Sequence, residues 1–531
     1  MPPFIQVQTL YELCLKRVFH ILCQSVERSD CVEILRAVIQ SSLHAGIREH
    51  LVQLATLHLG SDVYSLLDLL SILMDKAIKK LDHSMVENLR MDQCAGLYSS
   101  LEHCSATGLH ELTVKVALDS RKVNHLEAVS AANVTFHRVL VNGLASSLQK
   151  LVLRSVCDNE ILRLLGQHSN HLKYLDVRSS WLVDDGGLKQ LCFKDSIWAE
   201  YFDVYSDGSI DMSALNNCCH TLQEVRIQDT NTSEIGVALL LLLIPKLKSL
   251  GGFIYYRNVG DAILNMRAAH PRLQLNLTQL WDTSLPPEKA EQMAPCTPHL
   301  SSLYTRGSWL GSLVHFPEIS SITIDFDFAD FNPLLEHYLT LRGPLLRELV
   351  IVDQNHAVDL TMLIELCPSL EQLGAKLCQS YLDINVQSFL PHLTVARIRV
   401  GATLPLITLL GQVHSLQHLE VMLEEECYGD GVEMFDDLAI SEALVIPGPR
   451  ALSIFLMLSE CNFTADAAHA LMLACPALQR LGDLQFWNGV NEHDVEELAL
   501  EVRHCNYSFS FRYHGKWYPP EHHFSLTQAL Q

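Results

Sequence analysis

The hexapeptide LRELVI at positions 346–351 has apolar residues at its first, fourth and sixth positions. Near copies follow as LEQLGA (370–375), LTVARI (393–398) and LQHLEV (416–421), at steps of 24, 23 and 23 residues. The alternation inside each copy predicts a short β-strand, and self-similarity at this period is typical of repeat proteins. The sequence therefore predicts an array of similar units that bury their apolar faces only by stacking.

Further copies, some of them looser, extend this pattern over much of the chain. They are LQKLVL (148–153), LKYLDV (172–177), LQEVRI (222–227), LKSLGG (247–252), ISSITI (319–324), LSIFLM (452–457) and LQRLGD (478–483). The segments before the copies, such as LIELCPSL and LMLACPAL, read as ends of amphipathic helices closed by a break. The predicted fold is an α/β solenoid, a leucine-rich-repeat horseshoe with a parallel concave sheet and outer helices, preceded by an N-terminal helical region.

This pattern divides the chain into three predicted regions. Residues 1–120 form the helical region, residues 121–505 carry the repeats with acidic and Pro-rich insertions, and residues 506–531 form a terminal cap or tail. LKQLCF, from Leu188, is predicted to be a further strand. The acidic insertion at 423–437 is interpreted as a solvated loop or as a contact for a basic partner.

Composition excludes several classes of function. The chain has 531 residues, of which 48% are hydrophobic and 19% charged, and its net charge is −23. This is typical of a folded protein, and without a basic cluster among aromatics we expect no nucleic-acid partner. The N-terminus lacks the layout of a signal peptide, and the longest apolar run (237–245) is too short to span a bilayer. We therefore expect no membrane partner and a cytoplasmic or nuclear protein.

The sequence contains no motif for catalysis or metal binding. The 16 cysteines include no Cys-x-x-Cys pair, so we expect free thiols in the core and no metal site. Nucleophile elbows, phosphate-binding loops and dinucleotide fingerprints are also missing. We therefore expect no enzyme activity, no catalytic residue and no cofactor.

The residues between the repeat leucines are the candidate binding residues, because they point away from the core. Their mixture of charges favours a protein ligand over a phosphate. The predicted substrate-binding residues are Arg154, Asp176, Arg178, Arg226, Asp325, Arg397, Arg399 and Glu420.

The N-terminal stretch TLYELCLKRV (9–18) predicts an amphipathic helix. Thr9 and Glu12 have capping-box spacing, and Leu10, Cys14 and Val18 fall along one face. Thr-Leu-x-x-x-Cys-x-x-x-Val is similar to the BC box, the helix by which VHL-box and SOCS-box proteins hold elongin C. The resemblance implies that Thr9, Leu10, Cys14 and Val18 bind elongin C.

A second element, LHAGIREHL (43–51), resembles the cullin-two box of VHL-box proteins. Leu43, Ile47 and Leu51 occupy its three apolar positions, and His44 replaces its proline. A VHL box followed by leucine-rich repeats resembles the zyg-eleven and zer-one family of ubiquitin-ligase substrate receptors, without the armadillo-like domain of that family. The resemblance implies a substrate-recognition subunit of an elongin–cullin RING ligase. Its expected partners are elongin C with elongin B, a cullin of the cullin-two type, and an unknown protein substrate.

Two alternatives remain open at this point. The chain could be a non-catalytic leucine-rich-repeat scaffold in which TLYELCLKRV only caps the array, or an F-box-like receptor, although no F-box start is found. Exposure of Leu10 and Cys14 separates the first alternative from docking, since a capping helix would bury them against residues 30–80.

Overall fold

The computed structural model describes most of the chain. The described residues are 10–28, 32–58, 63–81, 89–117, 125–194, 202–206, 212–251, 259–325, 331–352, 356–379, 389–424, 435–445, 450–505, 509–514 and 516–518. The chain forms two compact units. The N-terminal unit lies within Gln8–Asp282 and Glu288–Leu300, and the C-terminal unit lies within Thr283–Pro287 and Ser301–Gln531.

The N-terminal unit combines helices with short strands. The helices up to its boundary are α1 (Leu10–Arg28), α2 (Val32–Ser42), α3 (Ala45–His58), α4 (Val63–Leu73), α5 (Met91–His103), α6 (His125–Val139), α7 (Ala145–Ser147), α8 (Asn159–His168), α9 (Asp185–Cys192), α10 (Glu234–Leu243), α11 (Val259–Ala269) and α12 (Pro287–Met293). The strands are β1 (Lys80–Leu81), β2 (Glu111–Lys115), β3 (Lys150–Arg154), β4 (Tyr174–Asp176), β5 (Glu224–Arg226) and β6 (Gln279–Trp281). Strands β1 to β5 form a parallel sheet in chain order.

The C-terminal unit repeats this plan. Its helices are α13 (Phe331–Arg342), α14 (Leu360–Leu366), α15 (Leu404–Gln412), α16 (Asp437–Val445), α17 (Ala465–Ala474) and α18 (Glu492–His504). Its strands are β7 (Ser302–Arg306), β8 (Ser321–Asp325), β9 (Glu348–Ile351), β10 (Val358–Asp359), β11 (Gln372–Cys378), β12 (Val395–Val400), β13 (His418–Leu423), β14 (Ile454–Met457), β15 (Cys461–Thr464), β16 (Arg480–Gly482), β17 (Trp487–Gly489), β18 (Ser510–Tyr513) and β19 (Lys516–Tyr518). The main sheet has the order β7-β8-β9-β11-β12-β13-β14-β16-β18-β19, and β18 and β19 pair antiparallel.

The repeated hexapeptide positions these strands. In every predicted copy except LKSLGG, a strand begins at the third residue. The apolar first, fourth and sixth residues are buried, as Leu346, Leu349 and Ile351 are in the first quoted copy. The α/β class and the parallel sheets are therefore confirmed. The first, fourth and sixth residues are buried because successive side chains of a strand point to opposite faces of the sheet, and only one face is packed against the core.

Polar side chains at the strand ends start several of the helices. Asp158, Ser233 and Thr464 each accept a hydrogen bond from a backbone amide in the first turn of the helix that follows. These caps satisfy amides that have no partner within the helix. Asp158 also accepts bonds from Asn133 Nδ2 (2.7 Å) and from His137 Nε2 (3.2 Å), so it ties α6 to α8.

The structure corrects one element and adds others. LKQLCF is not a strand, because Asp184 caps helix α9 at Gly187 and the helix buries Leu188, Leu191 and Cys192. LHELTV (109–114) has the hexapeptide spacing, LSSLYT (300–305) has it except for Thr305 at its sixth position, and the two contain the first residues of β2 and β7. The parallel sheet of the N-terminal unit begins at Lys80, ahead of the expected start of the repeats at 121. Most of the acidic insertion (425–434) and most of the tail (519–531) lie outside the described residues.

Candidate functional site

Helix α1 packs through one face only. It contacts α3 and α4, Leu22 is only 2% exposed, and the Tyr11 hydroxyl lies 2.7 Å from His50 Nδ1. Cys14 is exposed, Val18 is half-buried and Ile21 is 47% exposed. Because a helix turns about 100° per residue, these three side chains share a sector about 60° wide. The helix therefore presents a narrow apolar stripe that the described part of the chain covers only in part.

The structure does not describe the side chains of two predicted elongin-binding residues. Thr9 lies outside the described residues, and so does the side chain of Leu10. Leu10 is the first residue of α1, directly after the expected cap at Thr9. Cys14 is not packed against residues 30–80, as a capping helix would require.

The predicted cullin-binding residues lie at the start of α3 and differ in accessibility. Leu43 and Ile47 are half-buried, whereas Leu51 is fully buried and packs within its own unit. His44, which stands in place of the expected proline, is exposed, and its Nδ1 accepts a bond from the Gly46 amide (3.2 Å). The buried Arg48 donates from its Nε to the Leu43 carbonyl (3.2 Å) and forms an ion pair with Asp75 at 2.8 Å.

Helix α2 is amphipathic but has no fully buried residue. Ile34 is 65% exposed and Val38 is 51% exposed, one helical turn apart. The sequence did not single out these residues, although four-residue spacing of branched apolar side chains was the available signal.

Four of the predicted substrate-binding residues come together in the N-terminal unit. The carboxylate of Asp176 has no exposed surface and accepts bonds from Arg154 Nε (3.0 Å) and Arg178 Nη2 (2.9 Å). Arg226 lies opposite Asp176 in the register of β4 and β5, and its Nε is 2.6 Å from Glu224 Oε1. Asp176 therefore orients arginines and does not itself offer an accessible oxygen.

Burial dominates the electrostatics of this cluster. It raises the pKa of the Asp176 carboxyl, and the neighbouring Arg154 and Arg226 oppose that shift. Burial also raises the pKa of Tyr174 to about 12. Lys150 Nζ lies 5.8 Å and the Arg226 guanidinium 5.3 Å from the centre of the Tyr174 ring, within the range of cation–π attraction.

The other four predicted residues lie in the C-terminal unit. Asp325 accepts a bond from the Tyr304 hydroxyl (2.9 Å), and Arg397 pairs with Glu420 at 3.2 Å. Arg399 donates to the Met422 sulfur at 3.2 Å. Arg397, Arg399 and Glu420 border a shallow recess of about 270 Å³. Gly374 deepens it, since a side chain there would meet Val350 at 3.3 Å.

Several residues near Asp176 and near the recess of the C-terminal unit were not predicted from the sequence. The third residues of three hexapeptides are Lys150, Tyr174 and Glu224. They lie on the face of the sheet that points away from the core, together with the fifth residues. Lys376 and Glu424, which form an ion pair, were also missed. The third position of each copy was the signal that could have identified the first three.

The described residues contain one group of possible metal ligands, His493, Asp494 and Glu497. Asp494 there accepts a bond from the Asn491 amide (2.9 Å) as part of a helix cap, which accounts for its position. Buried thiols behave as core residues, and burial raises the pKa of Cys94 to about 12 and of Cys104 to about 11. Among the helices of the described ranges, none has the length and apolar content needed to cross a membrane.

Comparisons with known proteins identify no family for this chain. A scan against protein-family models matched no family, and a search of curated proteins found no match. Among solved structures, the chain overlaps a crystal structure of the yeast Rad7 and Elc1 complex with 19% identity and a TM-score of 0.23. The overlap covers 45% of this chain and 76% of that chain. Similarity at this level carries no argument about fold or function.

Proposed function

We propose that the chain is the substrate-recognition subunit of an elongin–cullin RING ubiquitin ligase. The observation that carries the proposal is the exposure of Cys14, at the centre of the BC-box-like pattern, on a helix that is anchored to its own unit by the buried Leu22. An amphipathic helix whose apolar stripe extends beyond the part that its own unit covers fits the groove of a partner.

Each proposed partner has its own residues. Thr9, Leu10, Cys14 and Val18 would bind elongin C, which brings elongin B, and Ile21 extends the same stripe. Leu43 and Ile47 would contact a cullin of the cullin-two type, while the buried Leu51 supports α3 from within.

The repeats would hold the substrate. We infer that the strand–helix units are leucine-rich repeats stacked as a solenoid of the horseshoe type, in which the parallel strands form the concave face. The buried hexapeptide leucines and the parallel register support this inference. The subunit would carry out no bond chemistry and would act by raising the effective concentration of substrate lysines near the charged ubiquitin carrier.

The direct test measures binding of the purified chain to the elongin B–elongin C pair by calorimetry. Leu10→Ser and Cys14→Phe should each weaken binding at least about tenfold, because they remove or block the apolar contact. Cys378→Phe alters another exposed cysteine in the C-terminal unit and is the matched control, expected to bind normally. Thermal melts establish that each variant is folded. Failure of the wild-type chain to bind would overturn the proposal and favour the scaffold alternative.

Thiol footprinting tests the same surface without substitution. Cys14 and Cys378 are both exposed, so iodoacetamide should label both in the free chain. Elongin B–elongin C should protect Cys14 and leave the labelling of Cys378 unchanged, as read by peptide mass spectrometry. Equal labelling of Cys14 in the free chain and in a confirmed complex would exclude α1 as the docking helix.

A further inference from the structure

The face of the β1–β5 sheet that points away from the core has an excess of positive charge. Its described cations are Lys80, Lys115, Lys150, Arg154, Arg178 and Arg226. Its described carboxylates are Glu111, Asp176 and Glu224. Six cations against three carboxylates leave a local excess of three positive charges, in a chain whose net charge is −23. We call this surface the basic face.

The centre of the basic face is held in place before any ligand arrives. Asp176 is fully buried and shared by the guanidiniums of Arg154 and Arg178, whose side chains stay 34% and 22% exposed. One carboxylate cannot neutralise two guanidiniums, so positive charge remains at the surface. A buried carboxylate that fixes two arginines lowers the entropy that these side chains lose when they bind an anion.

Tyr174 adds a flat apolar contact beside these charges. Its ring is half-buried on β4, with Lys150 and Arg226 near it on the neighbouring strands β3 and β5. Aromatic and arginine side chains together are typical of the energetic centres of protein interfaces. The basic face therefore combines charge with an anchor for a side chain or for extended backbone.

We propose that the basic face binds an acidic segment of a partner protein in an extended conformation. The cations are spread from β1 to β5, and neighbouring strands lie about 4.8 Å apart, so they cover about 19 Å. Alternate side chains of an extended segment lie about 7 Å apart, so two or three carboxylates would fit this span. A single phosphate would instead favour cations that converge on one point.

The charge of the whole chain disfavours the other polyanion, nucleic acid. A long strand would extend beyond the basic face into the field of a chain with net charge −23. A short acidic segment would feel mainly its nearest charges, since screening limits their range to about 8 Å at physiological ionic strength. Only the description of the partner as a ligase substrate rests on the proposed function; the binding itself does not.

The test measures fluorescence anisotropy of a labelled twelve-residue peptide in which Glu and Ser alternate, with a Gln–Ser peptide of the same length as control. The wild-type chain should bind the Glu peptide, more weakly as salt rises, and should not bind the Gln peptide. The double variant Arg154→Gln/Arg226→Gln should lose at least about tenfold in affinity. Arg347→Gln/Arg512→Gln removes two exposed, ion-paired arginines from the C-terminal unit and should change affinity by less than about twofold.

Several outcomes would overturn the proposal. They are the absence of Glu-peptide binding by folded wild-type chain at low salt, equal losses in both double variants, and tighter binding of a twelve-nucleotide single-stranded DNA than of the Glu peptide. Melting curves identify a variant that has lost its fold. If the Arg154→Gln/Arg226→Gln variant does not fold, the single variant Arg226→Gln replaces it in the affinity comparison, because it leaves Asp176 with both its arginines. Cys14→Phe should bind the peptide normally, so a failure of elongin docking stays distinguishable from a failure of the basic face.

Discussion

Helices α2 and α10 both carry apolar residues at more than half of their positions, yet they bury their side chains to very different extents. Helix α10 lies between α9 and α11 and buries most of its residues, from Gly236 to Leu243. Helix α2 packs mainly on α4 and buries none of its residues completely. The comparison teaches that apolar side chains in this chain serve two purposes. Those between neighbouring helices stabilise the fold, whereas Ile21 on α1 and Ile34 and Val38 on α2 stay largely exposed.

The largest expected effect lies in the packed helix. Leu240→Ala removes a fully buried side chain from α10 and should lower the free energy of unfolding by about 2–5 kcal/mol, because a cavity remains. Urea unfolding followed by circular dichroism measures the shift in midpoint. Ile235→Ala, in the exposed part of the same helix, is the control and should change it by less than about 0.5 kcal/mol. Similar losses in both variants would contradict the contrast between the two helix surfaces.

Loss of the cap that joins α6 and α8 should have a smaller effect. Asp158→Ala removes the acceptor for the Ile161 amide and leaves the buried Asn133 with one partner fewer. We expect a loss of about 2 kcal/mol in the free energy of unfolding. Asp158→Asn keeps an acceptor at the helix start and should lose less. If both variants were as stable as the wild type, the packing of α6 on α8 would not depend on this carboxylate.

The same carboxylate makes stability depend on pH. Burial opposes its ionisation, but hydrogen bonds from His137, the Ile161 amide and Asn133 favour it and hold the pKa of Asp158 below the ordinary value of 3.8. The unfolded chain therefore binds more protons in acid than the folded chain, and this contribution to stability is lost as the pH falls. The difference in urea midpoint between wild type and Asp158→Ala should be largest above about pH 5 and should shrink below about pH 4. A difference that stays constant down to pH 3 would contradict this assignment.

The smallest effect on stability should come from the exposed helix. Ile34→Ser and Val38→Ser alter side chains of α2 that are mostly in water, so each should change the free energy of unfolding by less than about 0.5 kcal/mol. Leu66→Ser, in the buried part of α4, is the control and should destabilise strongly. A large loss in the α2 variants would show that the chain itself covers this helix.

The repeated hexapeptide predicted the parallel strands because its signal is local. Burial of the first, fourth and sixth residues follows from strand alternation, and LRELVI, LTVARI and LQHLEV each contain a strand where it was expected. LKQLCF shows the limit of this argument. Its apolar spacing is compatible with a strand or a helix, and the cap at Asp184 decided for the helix.

The candidate site was less predictable. The choice of residues between the leucines selected Arg154, Arg178 and Arg226, which do share one face of a sheet. Asp176 was selected by the same reasoning, yet its carboxylate is fully buried and holds two arginines. One of these, Arg178, is a sequence neighbour, but Arg154 is 22 positions away, and no local pattern contains that pairing.

The sequence by itself determined where most of the repeat strands begin, because strand alternation acts over a few neighbouring residues. It also determined that the chain is acidic and rich in leucine. Only the tertiary structure decided which apolar helices are covered, which carboxylate is buried, and that positive charges gather on one sheet of a negative protein. Burial and electrostatic pairing depend on distances in space, and these are set when separate repeats pack together.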